Sequence, residues 1–253
     1  MLSKNKIKFI NSLSLKKNRD EEGLFIAEGQ KIINELIAAH FEITTIICSE
    51  KLSENYHSTH YDTLIADEQE LKKVSSLKTA SQILAICRKK TSLLDLENLK
   101  NELTIALDDI QDPGNLGTII RLASWFGIKN IICSNNTVDC YNPKVIQATM
   151  GSIAHVNIHY VDLSEFLSKI KTNELPVYGT FLDGKNIYTT ELKPSGIIVF
   201  GNEGNGISKE VEKYTSHKLL IPPYKQEIEN VESLNVSIAT SIVCAEFRRR
   251  LSE

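Results

Sequence analysis

The residues of this chain that could do chemistry fall in three polar loops, each following an apolar run. The first is Asp112-Pro113-Gly114-Asn115-Leu116-Gly117, leading into Arg121. Its glycines let backbone approach a ligand closely. Arg121 lies one helical turn past Gly117, away from the Ile119/Ala123/Phe126 stripe, and offers five donors to a phosphate. Asp108, Asp109 and Asp112 could suggest a cation site, but acids are common in turns and no metal is expected. The second loop is Gly201-Asn202-Glu203-Gly204-Asn205-Gly206, between an apolar strand and a helix opening at Ser208. Strand, glycine loop and helix is a common way to hold a nucleotide. The order here is G-x-x-G-x-G, which is neither the dinucleotide fingerprint G-x-G-x-x-G nor a P-loop. Glu203 would repel a pyrophosphate, so a cofactor that is cationic, or that lacks phosphate, suits the loop better. The third is Ile221-Pro222-Pro223, a polar stretch, then Glu232-Ser233-Leu234-Asn235-Val236-Ser237. Ser233 is expected to cap a helix that is apolar on nearly every side and therefore buried. Taken singly, each loop is equally a turn, a cap or a solvated arginine.

The elements that must position these loops follow from periodicity. From Leu103 onward strand, loop and helix repeat. Strands are expected at Leu103–Leu107, Asn130–Cys133, Val156–Tyr160, Val177–Leu182, Ile197–Phe200 and Lys218–Ile221. Helices are expected after Asp112, at Lys144–Ile153, Leu163–Ile170 and Lys209–Tyr214, and from Ser233 to Leu251. Such alternation means a parallel sheet covered by helices, with ligands at the carboxyl ends of the strands. Residues 1–92 read as a smaller α/β unit. It has a basic helix through Ile7, Ile10 and Leu13, helices at Lys31–Ala39 and Asp67–Leu77, and strands at Leu24–Ala27, Ile43–Cys48 and Ile83–Ile86. The polar stretch from Thr91 to Asn101 is placed as the linker.

Composition bounds the rest. The chain has 253 residues, 42% of them apolar, and a net charge of −3, so charge alone does not mark a nucleic-acid binder. Lys4, Lys6, Lys8, Lys16, Lys17 and Arg19 nonetheless crowd an acid-free start, and Arg88-Lys89-Lys90 and Arg248-Arg249-Arg250 form two more clusters. Such clusters either attract phosphate or are solvated faces. No run approaches the ~20 apolar residues that cross a bilayer. The basic start has no apolar core behind it, so no secretory signal is expected. The five cysteines are widely spaced without a CxxC pair; several sit in apolar runs and read as small core residues, in a reducing cytoplasm.

Together, in this order and spacing, the three loops resemble the SpoU (TrmH-type) branch of the SPOUT RNA methyltransferases. Asn115 six residues before Arg121 matches the first family motif. Ile198 to Gly206 resembles the second. Ile221-Pro222 with Ser233 to Ser237 resembles the third. Phe25-Ile26-Ala27-Glu28-Gly29 is similar to the signature of the family's N-terminal substrate-binding domain. The resemblance implies two domains: residues 1–92, an RNA-binding domain like a small ribosomal-protein fold, and residues 103–253, a parallel-sheet SPOUT methyltransferase domain tied in a trefoil knot. It implies S-adenosylmethionine as cofactor and a homodimer whose subunits together build the site. The substrate would be a ribose 2′-hydroxyl in RNA, ribosomal RNA more than transfer RNA. By the same analogy Gly201, Ile221 and Leu234 hold the adenosine, with Thr180, Asn202 and Gly206 near it. Arg121 activates the hydroxyl or clamps the adjacent phosphate, and Asn115, Glu203, Ser233 and Asn235 orient the site. One departure is a longer, glycine-free Pro223–Glu232 loop. The alternatives are a non-catalytic RNA-binding protein that keeps the fold, which would be expected to lose Asn115, Arg121 or Glu203, and an oxidoreductase, which would need the missing dinucleotide fingerprint.

Overall fold

The computed structural model describes residues 1–170, 175–224 and 233–250. The elements run α1 (Lys4–Ser12), α2 (Lys16–Glu22), β1 (Leu24–Glu28), α3 (Gln30–Ala38), β2 (Ile43–Cys48), α4 (Glu50–Ser53), β3 (Asp62–Ile65), α5 (Glu68–Val74) and β4 (Ile83–Arg88). Then follow α6 (Leu96–Leu99), β5 (Leu103–Leu107), α7 (Pro113–Trp125), β6 (Asn130–Ser134), α8 (Pro143–Thr149), β7 (Asn157–Val161) and α9 (Leu163–Ser168). The last are β8 (Val177–Asn186), β9 (Gly196–Phe200), α10 (Lys209–Glu212), β10 (His217–Leu220) and α11 (Val236–Arg249). Contacts divide the chain into two units: Met1–Thr91 with Asp139–His155, and Ser92–Val138 with the chain from Val156 onward.

The first unit is a four-stranded sheet in the order β1-β4-β2-β3. Ile10 and Leu13 from the α1 end and Leu71 and Val74 from α5 pack with Ile47, Leu84 and Ile86 in one apolar core. A capping box starts α5: Asp67 Oδ1 accepts from the Glu70 amide at 2.8 Å, and Glu70 Oε2 accepts from the Asp67 amide at 3.2 Å. The other Glu70 oxygen accepts from the Leu2 amide at 2.7 Å, which anchors the chain start. Helix α5 stops at Val74, short of the expected Leu77. Residues 139–155, read from sequence as part of the C-terminal region, pack here, with α8 against β1. The buried Arg19 forms an ion pair with the partly buried Asp139 at 2.6 Å. Helix α8 ends at Thr149 rather than at the expected Ile153, because Met150 and Gly151 turn left-handed at φ 53° and 96°. A Cβ at Gly151 would come within 2.6 Å of the Glu35 Cβ, so the approach to α3 demands glycine.

The second unit is a six-stranded sheet in the order β10-β8-β9-β5-β6-β7, parallel at every pairing. Every residue of β5 and β9 is buried, which is why both read as unbroken apolar runs. The expected linker carries α6, because Leu99 finds apolar partners in this unit's core. Strand β8 runs to Asn186, past the expected Leu182. Its pairing with β10 jumps, with Lys218 opposite Gly179 and Leu219 opposite Lys185, so Thr180–Gly184 form an excursion. A Cβ at Gly184 would lie 2.6 Å from the Leu219 carbonyl carbon. All five cysteines are buried, as expected of core residues, and burial pushes the Cys244 thiol up to about 12.

Helix α11 packs on α7. The expectation that it is buried all round fails. Val236, Thr240, Val243, Cys244 and Phe247 face inward, while Ile238 is 52% exposed and, on α7, Trp125 is 83% exposed. A helix with one neighbouring layer covers one face only. The Arg248–Arg250 cluster is engaged within the unit. Arg248 donates to the Phe126 and Gly127 carbonyls at 2.7 and 3.2 Å, closing the end of α7. Arg249 and Arg250 both bond Glu246 and hold its carboxyl below the usual range. Arg250 also bonds the Ile187 and Thr190 carbonyls. Among the described residues no helix is long and apolar enough to cross a membrane. Leu251, the expected end of the last helix, lies outside the described residues.

Candidate active site

Strands β5 and β9 are parallel neighbours with Leu107 opposite Phe200, so the first two polar loops leave the sheet side by side. The acids after β5 anchor them. Asp108 is buried and its Oδ2 accepts from the Ser208 amide at 2.7 Å. Asp109 is left-handed at φ 64°. Its amide donates to Ser134 Oγ at 2.9 Å, and its carbonyl accepts from Asn202 Nδ2 at 2.8 Å. Asn202 Oδ1 in turn accepts from the Gly204 and Asn205 amides at 2.9 and 3.1 Å. Asn202 and Gly206 exchange backbone hydrogen bonds at 3.0 and 2.9 Å. A Cβ at Gly201 would lie 2.1 Å from the Gly206 carbonyl carbon, so only glycine lets this ring close. The ring presents Glu203 at its exposed tip.

Three of the expected catalytic residues meet. Asn115 Nδ2 donates to Glu203 Oε1 at 2.9 Å, and Asn115 Oδ1 accepts from Asn235 Nδ2 at 3.0 Å. Asn235 Oδ1 accepts from the Ser237 amide, the Ser237 hydroxyl and the Ile238 amide at 3.0, 2.7 and 3.4 Å. Asn235, not Ser233, therefore caps the last helix, because its amide serves the helix start with one end and Asn115 with the other. Asn115 is held by its own amide bond to Asp112 Oδ1 at 2.8 Å, where Asp112 caps α7 and Pro113 opens it. Ser233 is exposed and is not hydrogen-bonded to this relay. Arg121 is exposed on α7 and makes no hydrogen bond or ion pair among the described residues.

The expected cofactor residues lie at one edge. Strands β9, β8 and β10 are adjacent and parallel, so Gly201, Thr180 and Ile221 follow neighbouring strand segments. Thr180 Oγ1 donates to the Val199 carbonyl at 3.3 Å, and Leu234 is 47% exposed beside Asn235. Neither 201–208 nor 221–224 holds a lysine or arginine, and the first contains Glu203. That donor set fits a neutral nucleoside with a cationic centre and does not fit a diphosphate. Most of the Pro223–Glu232 loop, residues 225–232, lies outside the described residues. Among the described residues no group of three or more His, Cys, Asp or Glu could hold a metal. Sequence reasoning missed the anchoring by Asp109 and Ser134. The one signal was an Asp directly after a strand, since Asp tolerates a left-handed backbone.

The family model of the SpoU rRNA methylases matches residues 102–245, more than half of the chain. The chain belongs to the SpoU rRNA methylase family. A second family model, the MRM3-like substrate binding domain, matches residues 4–85. Among SpoU relatives, the 23S rRNA (guanosine(2553)-2′-O)-methyltransferase RlmP of Bacillus subtilis is 28% identical over 246 residues, covering 96% of each chain. A TrmH-family structure from Porphyromonas gingivalis superposes with a TM-score of 0.90 at 34% identity, over 99% of each chain. An AdoMet-bound rRNA methyltransferase from Sinorhizobium meliloti gives 0.85 at 28% identity, over 99% of this chain and 97% of that one. The three polar loops of this SpoU protein all lie inside the matched region.

Proposed function

We propose that this chain methylates a ribose 2′-hydroxyl in structured RNA, ribosomal rather than transfer RNA, with S-adenosylmethionine as donor, as a cytoplasmic homodimer. The observation that carries this is the Asn235–Asn115–Glu203 relay, which ties the three loops together beside a nucleoside-suited, phosphate-averse edge. When bound, S-adenosylmethionine supplies an electrophilic methyl group on a cationic sulfur. Backbone at Gly201, Ile221 and Leu234, with Thr180, Asn202 and Gly206, holds the adenosine. Glu203 supplies the negative charge a sulfonium favours, and Asn115 and Asn235 keep that carboxylate oriented. Ser233, exposed at the mouth, orients the incoming RNA. The ribose hydroxyl is a poor nucleophile until its proton is drawn off, here to solvent water as the oxygen takes the methyl group. The Arg121 guanidinium is a planar fork of donors with no acceptor, so it holds the adjacent phosphate and stabilises the developing alkoxide rather than taking the proton.

The Bacillus subtilis relative, named as a 23S rRNA 2′-O-methyltransferase and matched almost end to end, supports the ribosomal substrate and the ribose position. The substrate-binding match supports residues 1–92 as the RNA-binding domain and 103–253 as the catalytic one. The exposed Trp125 and Ile238 on two adjoining helices support a second copy as partner. The return of α11 from the β10 edge to α7 supports the trefoil crossing of the family.

The test is nucleoside mass spectrometry of RNA treated with the protein and S-adenosylmethionine, which should show 2′-O-methylated ribose. Arg121→Ala should slow single-turnover transfer by roughly 10²–10³-fold and leave cofactor affinity unchanged. Methyl groups found on a base, or cofactor binding with no transfer to any RNA, would overturn the proposal.

A further inference from the structure

Glu28 of the Phe-x-x-Glu-Gly signature is 4% exposed. Its carboxylate accepts from Ser75 Oγ, from the Ser76 amide and hydroxyl at 3.1 Å each, and from the Ser81 amide at 3.3 Å. A buried carboxylate is retained where donors converge on it. These donors come from both ends of the 75–81 loop, so Glu28 pins the loop at its two feet. Further bonds stiffen it, from the Leu77 amide to Ser75 Oγ at 3.1 Å and from the Ile83 amide to Ser81 Oγ at 3.3 Å.

The pinned loop walls a cavity of about 420 Å³, lined among others by Ser49, Leu71, Leu77, Lys78, Thr79 and Gln82. Leu77, half-buried, supplies an aliphatic surface. Thr79 and Gln82 supply hydroxyl and amide groups. Ser49 Oγ is buried with no hydrogen-bond partner. Glu68, also on the wall, is paired with Lys72 at 2.7 Å, whereas Lys78 is exposed and has no acidic partner among the described residues. The volume falls within the range of small-molecule sites, roughly 300–1,000 Å³.

We propose that this cavity takes one unstacked nucleotide of the substrate RNA, its base on Leu77 and facing Thr79 and Gln82, its phosphodiester on Lys78. The proposal rests on the RNA methylation reading. One unpaired lysine balances the single charge of a phosphodiester and not the two or more of a free nucleotide. Sequence-specific RNA recognition works on splayed-out bases, and a loop pinned in advance loses little entropy on binding. Glu28 is thus a positioning residue, acting through the loop.

The test uses the full-length protein and an RNA fragment that the wild type methylates. Lys78→Glu should raise the RNA Kd about tenfold and lower the slope of log K against log salt by about one. Gln82→Ala should weaken binding with the salt slope unchanged. In both variants KM for RNA should rise while kcat at saturating RNA and cofactor affinity hold. A control at Lys169, ion-paired with Glu165 outside the RNA-binding domain, Lys169→Ala, should change none of these. Wild-type RNA affinity in both Lys78→Glu and Gln82→Ala, in protein whose parent methylates the fragment, would overturn the cavity assignment and leave the functional reading standing. A parent that methylates no RNA would instead overturn the functional reading, and this assignment with it.

Discussion

Asn115 does its work because an amide has two unlike ends. Its Nδ2 faces a carboxylate and its Oδ1 faces another amide, so a flipped amide or a one-ended side chain cannot make both bonds. Asn115→Ala should free Glu203 and release Asn235, slowing methyl transfer by on the order of 10²-fold. The melting temperature should change little, since all three side chains reach solvent. Asn115→Asp should be at least as damaging at neutral pH, because it sets a second carboxylate against Glu203. Single-turnover rates beside thermal melts check this, and an Asn115→Asp enzyme of wild-type rate would remove the relay from the mechanism. The relay partners were legible as motif residues. Their bonds were not, nor was the cap at Asn235, because Ser233 and Asn235 are both good capping types and only geometry chooses between them.

At the scale of elements, residues 139–155 pack in a different unit from the chain on either side of them. Arg19 holds them to the first unit, with Nε and Nη2 both on Asp139 Oδ2 at 3.0 and 2.6 Å and Nη1 on the Leu13 and Ser14 carbonyls at 2.9 and 2.7 Å. Arg19→Ala leaves the largely covered Asp139 carboxylate without its cation and should cost about 3–5 kcal/mol. Hydrogen exchange should show lost protection in 139–155 and in the turn between α1 and α2, together with a lower melting temperature. Unchanged exchange there would mean that packing of α8 on β1 suffices. Periodicity placed a helix within this segment but not its partner, since an apolar stripe fits any apolar surface of like shape.

For the whole molecule, the exposed Trp125 and Ile238 are the apolar surface on which the proposed homodimer depends. Trp125→Glu should yield a monomer in light scattering at micromolar concentration, with the fold retained because the side chain is exposed in the single chain. A wild-type monomer under those conditions would refute the dimer. The charge clusters sort at this scale too. Arg248 and Arg250 close helix and loop carbonyls of their own unit, and Arg249 pairs with Glu246. Lys4 and Lys8 stay exposed on α1, in a stretch that holds no acid.

By itself the sequence determined the alternation of strands and helices, the buried character of Leu103–Leu107 and Ile197–Phe200, and the three motifs that mark the family. Those are local properties: a two-sided apolar run, a turn residue and a cap each announce themselves within a few residues. Only the tertiary structure decided which strand lies beside which. Placing β9 between β8 and β5 brings Asn115 within 2.9 Å of Glu203, 88 residues away. It also sent 139–155 to the first unit and set Arg248 and Arg250 on carbonyls. Pairing of this kind is selected by the packing of the whole sheet against its helices, and no short stretch of sequence carries that information.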